Sequence, residues 1–182
     1  GRKLDGHDLE VNSMKRIVLT VLGLAGVTAA ALAQAPDESI ERALAAAPPQ
    51  ARAETTVVKW KPDFTYDTVK EGTNRWVCYD QSGEPGEQPF SAQCTSIANL
   101  DRVAQNRRFE AVADKAARQA QLDEAEAKGT RAKPEYGSLW RSVSGPDQAH
   151  ARTHTTVAVP GATAQSTGLP DNPKMGGAWL MN

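Results

Sequence analysis

The chain has 182 residues, 40% of them hydrophobic and 24% charged, which places it among ordinary globular sequences and away from collagen-like or strongly disordered ones. Its formal net charge of −1 and the absence of a basic cluster exclude the electrostatic footprint of a nucleic-acid binder. Aromatic residues make up only 5%, and alanine is abundant in the leader and in one long helical stretch, so any core is modest.

Residues 1–13 (GRKLDGHDLEVNS) lack an initiating Met and any periodicity, and read as an upstream or vector-derived segment. From Met14 the pattern changes. Lys15 and Arg16 form a positive start, Ile17 to Val27 is an unbroken run rich in apolar residues, and small residues follow to Ala35. That layout predicts a secretory signal peptide over 14–33 and an exported domain, periplasmic or extracellular, over 34–182. Cleavage after Ala33 or after Ala35 satisfies the small-x-small rule, and the former avoids proline as the first mature residue. The rival is an uncleaved anchor, in which case the leader is the chain's one link to a membrane. Thr20, Gly23, Gly26 and Thr28 dilute that run, and its length is at the bottom of the spanning range.

Beyond the leader, Ile40, Ala43, Leu44 and Ala47 recur at helical spacing and predict a short helix from Asp37 to Ala47, ended by Pro48-Pro49. The β-branched run Glu54 to Trp60 predicts a strand. Tyr66 to Lys70 and Arg75 to Tyr79 predict two more, joined through the turn-like Glu71-Gly72-Thr73-Asn74. Gln81 to Pro89 holds two glycines and two prolines and reads as a loop. A long alanine-rich helix is then expected from Ser96 to Lys128, carrying Val103, Phe109, Val112, Ala113, Ala116, Ala117, Ala120 and Ala127 among charged residues, with Gly129 as its stop. Three short strands complete the series, at Gly137 to Val143, Thr153 to Val159 and Gly177 to Met181, with 160–176 as a loop. The apolar end AWLMN suggests a truncated reading frame. The expected class is α+β with a mostly antiparallel sheet, because the connections are too short for regular crossover helices.

Cys78 and Cys94 are the only cysteines, and in an exported chain a pair of this kind reads as a disulfide. Such a bond would tie the RWVCY strand to the start of the long helix. His150 and His154 are the weak candidates for a metal. On a helix they would share a face, but on a strand they lie about 13 Å apart, too far for one ion. Neither a metal nor a cofactor is called for. Ser142, Ser144, Asp147 and His154 fall in one stretch and could form a hydrolytic site, although no G-x-S-x-G, S-x-x-K or H-E-x-x-H motif accompanies them. Asp63, Asp67 and Glu71 lie in turn-rich sequence and read as solvated charges. Trp60, Trp76 and Trp140, with Tyr79 and Tyr136, are either core or a flat face for a glycan or protein of the cell envelope.

The runs IERALAAAP, TVVKW and EGTNRWVCYD, a second cysteine downstream, and the late pair Gly176-Gly177 together resemble a family of small uncharacterised exported bacterial proteins with no assigned activity. The firmest parts are Glu71 to Cys78 and the Gly-Gly pair. The resemblance implies a chain that continues past Gly-Gly and a shorter connection where this one carries its alanine-rich helix, making that helix an elaboration. The expected function is non-enzymatic binding or a structural role in the envelope. The alternative is a hydrolase of an envelope polymer that uses His154 with a nearby serine or carboxylate.

Overall fold

The computed structural model describes residues 37–181; the leader and the segment before it lie outside them. Asp37 opens the first helix, α1 (Glu38–Leu44), by accepting a hydrogen bond from the Ser39 amide, which satisfies one of the unpaired N–H groups of the first turn. The chain then turns through Ala47 and a short 3-10 segment, Pro49–Glu54, into the sheet.

Six strands form one sheet: β1 (Thr56–Trp60), β2 (Tyr66–Lys70), β3 (Trp76–Asp80), β4 (Phe90–Ser96), β5 (Leu139–Gly145) and β6 (Arg152–Val157), in the order β2-β1-β3-β4-β5-β6. All neighbours are antiparallel except β1 and β3. The α+β class and the mostly antiparallel sheet therefore hold, together with the short N-terminal helix. In the β1–β2 turn, Phe64 takes a left-handed φ of 66°, a position glycine usually fills, and the Arg108 guanidinium stands 5.8 Å from its ring centroid.

The parallel pair explains the tetrad Glu71-Gly72-Thr73-Asn74. It does not close a hairpin, since β2 and β3 lie on opposite sides of β1. The chain crosses the start of β1, where the Thr73 and Asn74 amides both donate to the Glu54 carbonyl. The Asn74 side chain donates to the Ala51 carbonyl and to Thr55 Oγ1, and its Oδ1 accepts from the Trp76 amide. Lys70 Nζ adds bonds to the Ala53 and Thr55 carbonyls. A Cβ on Gly72 would stand 2.3 Å from the Glu54 carbonyl oxygen and the Thr56 nitrogen, so only glycine allows this crossing.

Two corrections concern the middle of the chain. β4 falls where a loop was expected to lead directly into a helix, and it is a central strand paired with both β3 and β5. The long alanine-rich helix Ser96 to Lys128 is not one helix. A 3-10 turn at Ile97–Asn99 leads to α2 (Leu100–Glu110), four residues intervene, and α3 (Lys115–Ala127) starts afresh with the Asp114 side chain accepting from the Ala117 amide. α2 buries Leu100 and Val103, whereas α3 buries no residue. The chain returning from α3 is strapped along α2: Gln105 bonds Thr130 and Ala132, and Arg102 bonds the Ala132 carbonyl. A third correction is at the end. Gly177 to Met181 is not a strand, and the loop before it contains one helical turn, α4 (Ala164–Thr167).

Alternation along the strands produces two cores. On one face Val57, Cys78, Phe90, Ala92, Cys94 and Val143 pack under Ala43, Leu44, Ala46 and Ala47 of α1 and the turn after it. On the other, Val58, Val77 and Tyr79 pack under Leu100 and Val103 of α2. No helix among the described residues is long and apolar enough to cross a membrane.

Candidate functional site

The α2 face is where the sheet turns polar. β4 sends Phe90, Ala92 and Cys94 toward α1, so Ser91, Gln93 and Thr95 face α2 by the two-residue period of a strand. β5 sends Trp140, Ser142 and Ser144 to the same side. Between these side chains and α2 lies a cavity of about 220 Å³, roofed by Val103, Asn106, Arg107 and Glu110 and bounded at its mouth by Gln81 and Glu87.

Its polar groups are held from behind. Burial pushes the Tyr79 hydroxyl well above its ordinary pKa, so it remains protonated and donates to Gln93 Oε1. Arg131, which can only donate, bonds Asn106 Oδ1 through one nitrogen and Gln105 Oε1 through another at 2.9 Å. Both amide oxygens are thus engaged, while Gln93 Nε2 and Asn106 Nδ2 make no hydrogen bond among the described residues. Ser91 donates to Glu87 Oε2 at 2.7 Å. The Arg107 Nη2 meets Glu84 Oε1 at 2.6 Å, and its guanidinium lies 5.2 Å from the Trp60 ring centroid. Its Nε and Nη1 are buried without a hydrogen-bond partner among the described residues, so the aromatic face is what they rest against. Burial raises the Glu110 carboxyl above its ordinary value; Arg107 opposes that rise and Glu87 and Glu84 add to it.

The residues singled out from sequence are distributed as follows. Cys78 and Cys94 form a disulfide between directly opposed positions of β3 and β4, both fully buried on the α1 face. The bond joins two central strands and does not reach the helix start expected for it. Trp60 and Trp140 pack with the α2-side core, but Trp76 packs with the α1-side core, so the three do not share one face. Trp76 instead lines an open groove with Tyr136 and Leu139, floored by the Arg75–Glu135 ion pair. His150 lies in the β5–β6 turn with its Nδ1 2.9 Å from both Asp147 oxygens, and His154 lies on β6 with its ring 5.8 Å from that of Trp179. The described residues contain no group of three His, Cys, Asp or Glu side chains placed to hold a metal. Ser142 and His154 are direct cross-strand partners, yet no hydrogen bond joins their side chains among the described residues. Asp63 accepts from Thr65 within the β1–β2 turn, and Asp67 pairs with Lys61 at 2.5 Å.

Gln93, Asn106 and Arg107 went unmarked in the sequence. The alternation Ser91, Gln93, Thr95 against Phe90, Ala92, Cys94 was the signal for the first of them, and it is legible only once that segment is read as a strand. Comparisons with protein-family models, curated proteins and solved structures found nothing similar to this chain.

Proposed function

We propose that the chain is an exported domain whose work in the cell envelope is non-enzymatic binding, with the cavity under α2 as its site. The observation that carries this reading is the pair of amides on Gln93 and Asn106, whose oxygens are occupied by Tyr79 and Arg131 while their nitrogens stay open. Orienting polar groups before a ligand arrives lowers the entropy lost on binding, which is how a small polar site gains affinity. The buried disulfide supports export, since such bonds persist in oxidising compartments. The leader pattern of 14–33 and the resemblance to small exported bacterial proteins point the same way.

The second reading, hydrolysis of an envelope polymer, rests on Ser142 lying directly opposite His154. One experiment separates the two. The protein is incubated with envelope extract from its host, and both bound mass and released fragments are followed by mass spectrometry. Retention of an intact component, lost in Asn106→Asp, is the expected result. Fragments that disappear in His154→Ala would replace binding with catalysis.

A further inference from the structure

We infer that the cavity under α2 takes a single neutral pyranose, either free or at the end of a glycan chain; the inference rests on the reading of that cavity as the binding site. The cation that lines it is already paired. Arg107 is held by Glu84 and Trp60, and Glu87 accepts from Ser91, so no unpaired cation waits for an anionic ligand. Glu87 and Glu110 would repel an anion. What remains is a mixture of open donors and acceptors. Gln93 Nε2 and Asn106 Nδ2 only donate, the carboxyl oxygens of Glu87 and Glu110 offer acceptors, and the hydroxyls of Ser142 and Ser144 do both. A ligand bearing several hydroxyls satisfies all of these at once, because each hydroxyl accepts one bond while donating another.

Size and shape narrow the choice. A volume of about 220 Å³ is below the roughly 300 Å³ at which drug-sized ligand sites begin, which suits one sugar ring and not a chain of them. Trp140 borders the cavity, whose lining is otherwise mostly polar, as a ligand covered in hydroxyls requires.

The test is titration of the full chain with glucose and with N-acetylglucosamine, followed by tryptophan fluorescence and by backbone amide NMR. A saturable shift at Gln93, Asn106 and Trp140 is expected with at least one sugar. Gln93→Glu and Asn106→Asp should each weaken it about tenfold, the size of effect expected when one well-placed hydrogen bond is lost. Both variants keep the oxygen that Tyr79 or Arg131 bonds and replace the open N–H₂ by a carboxyl oxygen, and the unfolding midpoint checks that each still folds. Equal binding of the methyl glycoside identifies a chain end as the source, and its loss identifies the free sugar. If neither sugar shifts the spectrum while envelope extract still binds in a manner sensitive to Asn106→Asp, the sugar assignment is overturned and the site stands. If extract binding ignores both variants, the site falls as well.

Discussion

The two faces of the sheet are built from the same strands and spend them differently. On the α1 side β4 presents Phe90, Ala92 and Cys94 to α1 and the turn after it, whose contact residues are mostly alanine, and the result is dry, close packing around a disulfide. On the α2 side the alternate residues Ser91 and Gln93 meet Tyr79, Arg107 and Trp140, and the result is a polar cavity held by hydrogen bonds and one guanidinium on an aromatic ring. Small residues bring helix and sheet close, whereas long polar ones hold them apart and leave room between. The lesson is that a dry core and a polar cavity are separated by a single residue step along one strand.

The largest expected effect is on the dry face. Replacing the disulfide by Cys78→Ala with Cys94→Ala should lower the unfolding free energy by about 3 kcal/mol, from the entropy of the loop it closes, as read by urea denaturation under oxidising conditions. A loss well under half of that would mean that packing alone holds this face. Next, Gly72→Ala forces a Cβ into the backbone at the start of β1 and should cost about 2 kcal/mol in the same assay. A silent Gly72→Ala would mean that the crossing can move aside. On the polar face, Tyr79→Phe removes the donor to Gln93 and should cost only about 1 kcal/mol while releasing the amide, so that ligand binding suffers more than stability does. Equal losses in both would erase the contrast between the faces. The smallest effect is on pH dependence. Because burial raises the Glu110 carboxyl, the folded protein keeps that proton where the unfolded chain has lost it, and stability falls as pH rises through a window opening at the ordinary value of 4.5. Glu110→Gln should flatten this part of the urea midpoint against pH profile, and an unchanged slope would show that the carboxyl is as well solvated in the folded chain as in the unfolded one.

Sequence reasoning recovered the elements whose residues announce themselves: β1 and β3 through β-branched and aromatic runs, β2, β5 and β6 in outline, and α1 through its cap and apolar spacing. It lost β4 because FSAQCTS dilutes Phe90 and Thr95 with small and polar residues of weaker strand preference, and its role comes from pairing on both sides, a tertiary effect. The single long helix failed for a related reason. Alanine favours helix without demanding burial, so nothing obliged one axis to continue once α2 had covered its core, and Asp114 gained more as a cap than as an interior residue. The disulfide was legible in two lone cysteines, but its position in mid-sheet was not. The tetrad from Glu71 to Asn74 looked like a turn; its glycine and asparagine serve instead to carry the chain over β1. The cavity was the least legible feature, since its walls come from β3, β4, β5 and α2, and no local pattern spans them.

The order in which the chain arrives gives the disulfide a further consequence. Apart from Val143 and Ala151, every residue of the α1-side core lies between Ile40 and Cys94, and the two cysteines are 16 positions apart. If the chain is exported as proposed, delivery from its N-terminus into an oxidising compartment presents α1 and β1 to β4 before α2 or β5. The central strands can therefore be covalently locked while the cavity's roof and far wall have still to emerge. The later half then assembles on a template already fixed, and an error in α3 or the C-terminal segment leaves that template intact.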